Sequence, residues 1–151
     1  MYPPKFDYYR AASPDEATAL VQEHGGKFLA GGHSLIPVMN LRLADPGALV
    51  DIGRLDMKGI STSSSGVTIG ALTTHAMVAA SGDVPTALSE AAGKIGDPQV
   101  RNRGTVGGNI AHADPASDLP TVLLTLKATI NTNGRSIPAD DFFVDLFTTA
   151  L

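Results

Sequence analysis

A chain of 151 residues has room for one domain or two small subdomains. Its net charge of −4, its 17% of charged residues and its scattered arginines exclude an electrostatic nucleic-acid surface. The absence of cysteine removes disulfides, thiolate metal sites and iron–sulfur ligation together, and it suits a reducing cytoplasm. No apolar run approaches the roughly 20 residues of a membrane-spanning helix. No charged-then-apolar leader is expected from the opening Tyr2-Pro3-Pro4-Lys5.

Phe6 to Arg10 alternates aromatic and polar residues, as a short strand does. Ser13-Pro14-Asp15-Glu16 is a capping box with proline at the first helical position. Ala17, Leu20, Val21 and His24 follow at helical spacing, and Gly25-Gly26 stops the helix. Lys27 to Ala30 is a short apolar strand that runs straight into Gly31-Gly32. Ser34 to Leu41 reads as a short helix or turn, and Ala48 to Ile52 as another buried strand. This order predicts an α/β opening of parallel character.

After Asp51 the texture changes. Gly59 to Ser63 and Val67 to Ala71 predict a hairpin with Ser64-Ser65-Gly66 as its turn. Thr73-Thr74-His75 caps a short helix through Val78, and Pro85 to Lys94 is a second one with Leu88, Ala91, Ala92 and Ile95 on one face. A central loop follows. Leu119, Val122, Leu123 and Leu126 mark a further helix, and Lys127 to Ile137 a strand, a tight Asn133-Gly134 turn and a strand. A boundary near 53–58 separates residues 1–54 from residues 55–151. The tail carries Phe142, Phe143, Leu146, Phe147 and Leu151, an apolar face that wants a surface to bury against.

The chemistry concentrates in Ile95 to Asp118, IGDPQVRNRGTVGGNIAHADPASD. Glycine permits positive φ and close approach to bare N–H groups, and successive bare N–H groups make an anion-binding concavity. Thr105-Val106-Gly107-Gly108-Asn109 therefore reads as a phosphate cradle, and Ala30-Gly31-Gly32-His33-Ser34 as a second. Two such cradles can grip the two phosphates of a dinucleotide. Neither stretch has the Rossmann spacing or a P-loop lysine, and either one alone is compatible with a plain tight turn. His24, His33, His75 and His112 show no ligand spacing with a carboxylate, so no metal site is expected. No nucleophile elbow or catalytic dyad is present. Asp118 reads either as a helix N-cap or as the acceptor for a ligand hydroxyl, and Arg101 and Arg103 either as phosphate ligands or as surface charges.

The segments 30–46 (AGGHSLIPVMNLRLADP), 68–78 (TIGALTTHAMV), 95–120 and 141–151 (DFFVDLFTTAL) together resemble the FAD-binding medium subunits of molybdenum hydroxylases. That family includes the carbon monoxide dehydrogenase medium chains and the flavin domains of xanthine dehydrogenases, and the likeness covers essentially the whole chain. The resemblance implies an α+β fold of two small subdomains of the vanillyl-alcohol-oxidase (PCMH) type. It implies FAD, with its pyrophosphate held by Ala30 to Ser34 and Thr105 to Asn109, Ile95 against the cofactor and Asp118 on one of its hydroxyls. It also implies a molybdopterin-binding large subunit and a [2Fe-2S] small subunit, with electrons passing from the clusters through the flavin to an external acceptor. Medium subunits of the family continue into a further domain that helps cover the isoalloxazine, so residues 1–151 are expected to be an N-terminal piece that holds flavin weakly. The alternatives are a self-contained flavin oxidoreductase and a flavin-free assembly module whose glycine loops only dock a partner.

Overall fold

The computed structural model describes residues 2–151; the first residue lies outside them. Strands β1 (Asp7–Arg10), β2 (Lys27–Leu29) and β3 (Ala48–Asp51) form a parallel sheet in the order β1-β3-β2. In register, Tyr8 pairs with Leu49 on one side of β3, and Phe28 pairs with Val50 on the other. The central strand is the buried one: Leu49 and Val50 are both 0% exposed. Removing such side chains from water is worth roughly 1.5–3 kcal/mol each. Helix α1 (Pro14–His24) lays Ala17, Leu20 and Val21 against Val50 and Tyr9, and Met39 of α2 (Leu35–Asn40) is fully buried.

The local signals at α1 act as read. Ser13 Oγ accepts from the Glu16 N–H at 3.1 Å, and Gly25 closes the helix at φ 63°. Glu16 accepts from the N–H of Ala12 at 2.6 Å, one residue before the position a capping box uses. His24, at the last helical position, stacks flat on Tyr9 with ring centroids 4.1 Å apart.

The rest of the chain is helical with antiparallel pairs, which makes the whole an α+β fold. Strands β4 (Ile60–Ser63) and β5 (Gly66–Ile69) pair antiparallel, and Gly66 at φ 136° belongs to the ladder, so the turn is Ser64-Ser65 alone. Helices α3 (His75–Ala79), α4 (Thr86–Lys94), α5 (Pro98–Arg103), α6 (Val106–His112) and α7 (Asp118–Thr125) follow. Val78, Leu88, Ala92, Val106, Leu119 and Leu123 form their common core. The pair β6 (Thr129–Asn131) and β7 (Ser136–Pro138), helix α8 (Ala139–Phe142) and the pair β8 (Phe143–Asp145) and β9 (Thr148–Thr149) close the chain. Phe142 is fully buried and meets Phe143 edge-on at 5.1 Å, whereas Phe147 remains 57% exposed and tilts onto His112.

The main departure from the sequence reading lies in 95–118. The expected loop contains α5 and α6. Asp97 accepts from the Val100 N–H at 2.8 Å with Pro98 at the first helical position, and Thr105 accepts from the Gly108 N–H at 3.1 Å. These two caps start helices that the glycine content conceals.

Candidate functional site

The first glycine stretch leaves the carboxyl end of β2. Gly32 sits at φ 75°, a conformation that costs a residue with a Cβ about 1–2 kcal/mol. His33 donates from Nδ1 to the Gly31 carbonyl at 2.9 Å and closes the loop on itself. Among the described residues, the N–H groups of Gly31, Gly32, His33 and Ser34 donate to no protein acceptor. Four adjacent unpaired donors make the concavity that anions occupy.

The second stretch is built differently. The N–H of Val106 donates to the Thr73 carbonyl at 2.9 Å and that of Gly107 to the Ala71 carbonyl at 2.8 Å. Gly108 donates to Thr105 Oγ1 and Asn109 to the Thr105 carbonyl. The bare N–H groups expected there are engaged, because the stretch is the first turn of α6 pinned to the segment after β5. Neither Gly107 nor Gly108 has positive φ. A Cβ on Gly107 would lie 2.7 Å from Ala71, so glycine serves close backbone approach here. What this stretch offers a ligand is the Thr105 hydroxyl proton, the Asn109 amide N–H₂ and the open face of Gly108. Asn109 Oδ1 itself accepts from Ser117 Oγ at 2.8 Å.

The fold brings the two stretches face to face. A Cβ on Gly31 would overlap the Arg103 carbonyl and lie 2.9 Å from Gly104 Cα, and one on Gly108 would come to 3.8 Å from the Ala30 side chain. Between them opens a cleft of about 70 Å³ lined by Gly31, Gly53, Lys58, Thr74, Arg103 and Thr105. On the other side of Gly31 and Arg103 lies a wider groove of about 350 Å³. Gly53 is fixed by Asp51, whose Oδ1 accepts from its N–H at 2.8 Å while Oδ2 accepts from the Tyr8 hydroxyl at 2.5 Å. Burial alone would raise the Asp51 pKa; the Tyr8 hydroxyl, the Gly53 N–H and the Arg10 and Arg54 charges outweigh it and hold the carboxylate below its usual range.

His75 packs against Gly104, its Cδ2 lying 2.8 Å from where a Cβ on that glycine would sit. It is 3% exposed, its backbone N–H donates to the Gly104 carbonyl at 3.0 Å, and its ring Nδ1 has no partner among the described residues. Burial, and secondarily His33, lowers its pKa, so the ring is neutral at pH 7. Ile95 ends α4 half-buried against the core cluster, and its carbonyl accepts from Arg101 Nη1 at 2.9 Å. Arg101 thus ties the turn before α5, while Arg103 lines both openings. Asp118 is not the N-cap of α7; Ser117 holds that position, and Asp118 is exposed in the first turn. Lys58, Thr74 and Asn40 were not singled out in the sequence: Thr74 and Asn40 lie inside the family-like segments 68–78 and 30–46 without a distinguishing spacing of their own, and Lys58 lies outside them.

A parallel three-stranded sheet joined to a helical half, with unpaired N–H donors and two cations lining the cleft, makes a class of module suited to an anionic ligand. The family described as the FAD binding domain in molybdopterin dehydrogenase matches residues 4–151, and the chain belongs to it. It is 44% identical to the carbon monoxide dehydrogenase medium chain of Hydrogenophaga pseudoflava, over 100% of this chain and 56% of that one. It is 45% identical to the glyceraldehyde dehydrogenase medium chain of Sulfolobus acidocaldarius, over 99% of this chain and 56% of that one. The structure of carbon monoxide dehydrogenase from Hydrogenophaga pseudoflava superimposes with a TM-score of 0.95 over 100% of this chain and 56% of the matched chain. The chain thus spans about half the length of the relatives it matches. Among the described residues no helix is long and apolar enough to cross a membrane.

Proposed function

We propose that this chain is the FAD-binding portion of an electron-transfer subunit in a cytoplasmic molybdenum hydroxylase. Its partners in this reading are a molybdopterin-binding large subunit and a [2Fe-2S] small subunit. Residues 1–54 and 55–151 act as two subdomains, with the cofactor between them. The observation that carries the reading is the meeting of Ala30–Ser34 with Thr105–Asn109 in a chain of this family.

The residues present fit a diphosphate. The N–H groups of Gly31 to Ser34 are its donors, Lys58 and Arg103 supply opposite charge, and Thr105 donates from its hydroxyl. Ile95 offers an apolar contact, and the free carboxylate of Asp118 accepts from a sugar or ribityl hydroxyl. Bound FAD would supply the exchange of electrons between iron–sulfur clusters and an external acceptor; no residue of this chain is assigned a catalytic role. Titration with FAD, followed by flavin fluorescence and backbone amide NMR, tests the reading. Shifts at Gly31 to Ser34 are expected. A spectrum unchanged at millimolar FAD would remove the flavin reading and leave the flavin-free assembly module in its place.

A further inference from the structure

The cleft has a third wall besides the two glycine stretches. Residues 52–58 leave the end of β3, contribute Gly53 and Lys58 to the lining, and lead toward β4. Lys58 is exposed and forms no ion pair among the described residues, so its charge is available to a bound anion. A segment without helix or strand needs anchors to hold that charge in place.

The two ends of the segment are fixed differently. At the far end the fully buried Thr73 hydroxyl accepts from the Gly59 N–H at 2.9 Å and donates to the Gly59 carbonyl at 3.0 Å. The N–H groups of Leu72 and Gly70 add bonds to the Met57 and Gly59 carbonyls. At the near end a single side chain acts. Among the described residues, the bond from the Gly53 N–H to Asp51 Oδ1 at 2.8 Å is the only side-chain hydrogen bond to the backbone of 52–58. The carboxylate is itself held: Oδ2 accepts from the Tyr8 hydroxyl and lies 3.8 Å from Arg10 Nε. An acid beside an anion cleft would repel the ligand, and here Tyr8, Arg10 and Arg54 offset its charge.

Resting on the diphosphate reading above, we infer that Asp51 is a positioning residue: its carboxylate sets the 52–58 segment through the Gly53 N–H and so holds Lys58 at the anion. In this role Asp51 touches no ligand and acts only through Gly53.

Two measurements on the 151-residue chain test the role: amide hydrogen exchange without ligand, and titration with inorganic pyrophosphate and with FAD. Asp51→Ala is expected to speed exchange of the Gly53 amide and to weaken both ligands about tenfold, the scale of one charge-assisted contact. Asp51→Asn keeps an acceptor for Gly53 and a partner for Tyr8, and it should restore both measurements to within about twofold of the parent. Lys58→Met should match the loss of Asp51→Ala, and the double variant should lose no more than Lys58→Met alone, because both changes remove one contact. Tyr8→Phe loosens the carboxylate without altering β3; a smaller loss of the same kind is expected, so the comparison survives an Asp51→Ala chain that fails to fold. Parent-like affinity in Asp51→Ala, losses that add in the double variant, or no rescue by Asp51→Asn would overturn the role of Asp51 and leave the FAD reading standing. A parent chain that takes up neither ligand at millimolar concentration would overturn both.

Discussion

Ala30-Gly31-Gly32-His33-Ser34 and Thr105-Val106-Gly107-Gly108-Asn109 look alike in sequence, and the fold uses them in opposite ways. The first keeps its N–H groups free and places Gly32 at φ 75°. The second gives its N–H groups to Ala71, Thr73 and Thr105, and its glycines let α6 lie directly on neighbouring backbone. Glycine pairs therefore mark places where a Cβ is excluded; whether a ligand or the protein excludes it depends on where the N–H groups point.

The comparison can be broken by putting side chains back. Gly31→Val has the largest expected effect, because its Cβ would overlap the Arg103 carbonyl, and backbone cannot rotate away as a side chain can. Overpacking of this kind costs about 3 kcal/mol, a fall in Tm of roughly 6–12 °C at this chain length. A thermal melt within a degree of the parent would show that the two halves do not meet as closely as drawn.

Gly107→Ala and Gly32→Ala sharpen the contrast. Gly107→Ala meets Ala71 at 2.7 Å and is expected to cost about 1–3 kcal/mol of stability. Gly32→Ala forces a Cβ into positive φ at a lower cost, about 1–2 kcal/mol, but it distorts the free donors. Its larger effect should appear in FAD affinity. Denaturant melts and FAD titrations of both variants would reveal a reversal of these rankings, and a reversal would mean that the two stretches had been assigned the wrong way round. Thr105→Val keeps the shape and removes the acceptor of the Gly108 N–H; a loss of about 1 kcal/mol in a urea melt is expected.

The smallest effect is the pH response of His75. Its folded-state pKa lies below the unfolded value of about 6.5. The unfolded chain therefore takes up the proton first, and stability is full above that value and declines as pH falls below it toward the folded-state pKa. Tm measured from pH 7.5 to pH 5 should fall more steeply in the parent than in His75→Gln. Parallel slopes would show that His75 does not titrate across folding.

Local signals in the sequence determined the first half of the chain. The cap at Ser13, the stop at Gly25 and the apolar runs at 27–30 and 48–52 each act through neighbouring residues, so spacing alone placed α1 and the three strands. The α4 and α7 faces were legible for the same reason, whereas of the apolar tail face only Phe142 is fully buried, and Leu146, Phe147 and Leu151 stay exposed. Family likeness supplied the FAD, which no spacing in the chain encodes.

Tertiary structure decided what the glycines do. Thr105 to Asn109 could have been an open loop or the first turn of a helix; the carbonyls of Ala71 and Thr73, more than thirty positions earlier, select the helix by taking the N–H groups of Gly107 and Val106. Asp118 fell from cap to first-turn acid because Ser117, held to Asn109, takes the cap position. Lys58 and Thr74 line the cleft, and Asn40 the groove beside it, only because the chain folds them around Gly31 and Arg103. A hydrogen-bond donor carries no record in sequence of its distant acceptor, so a site made by two halves meeting becomes readable only once they have met.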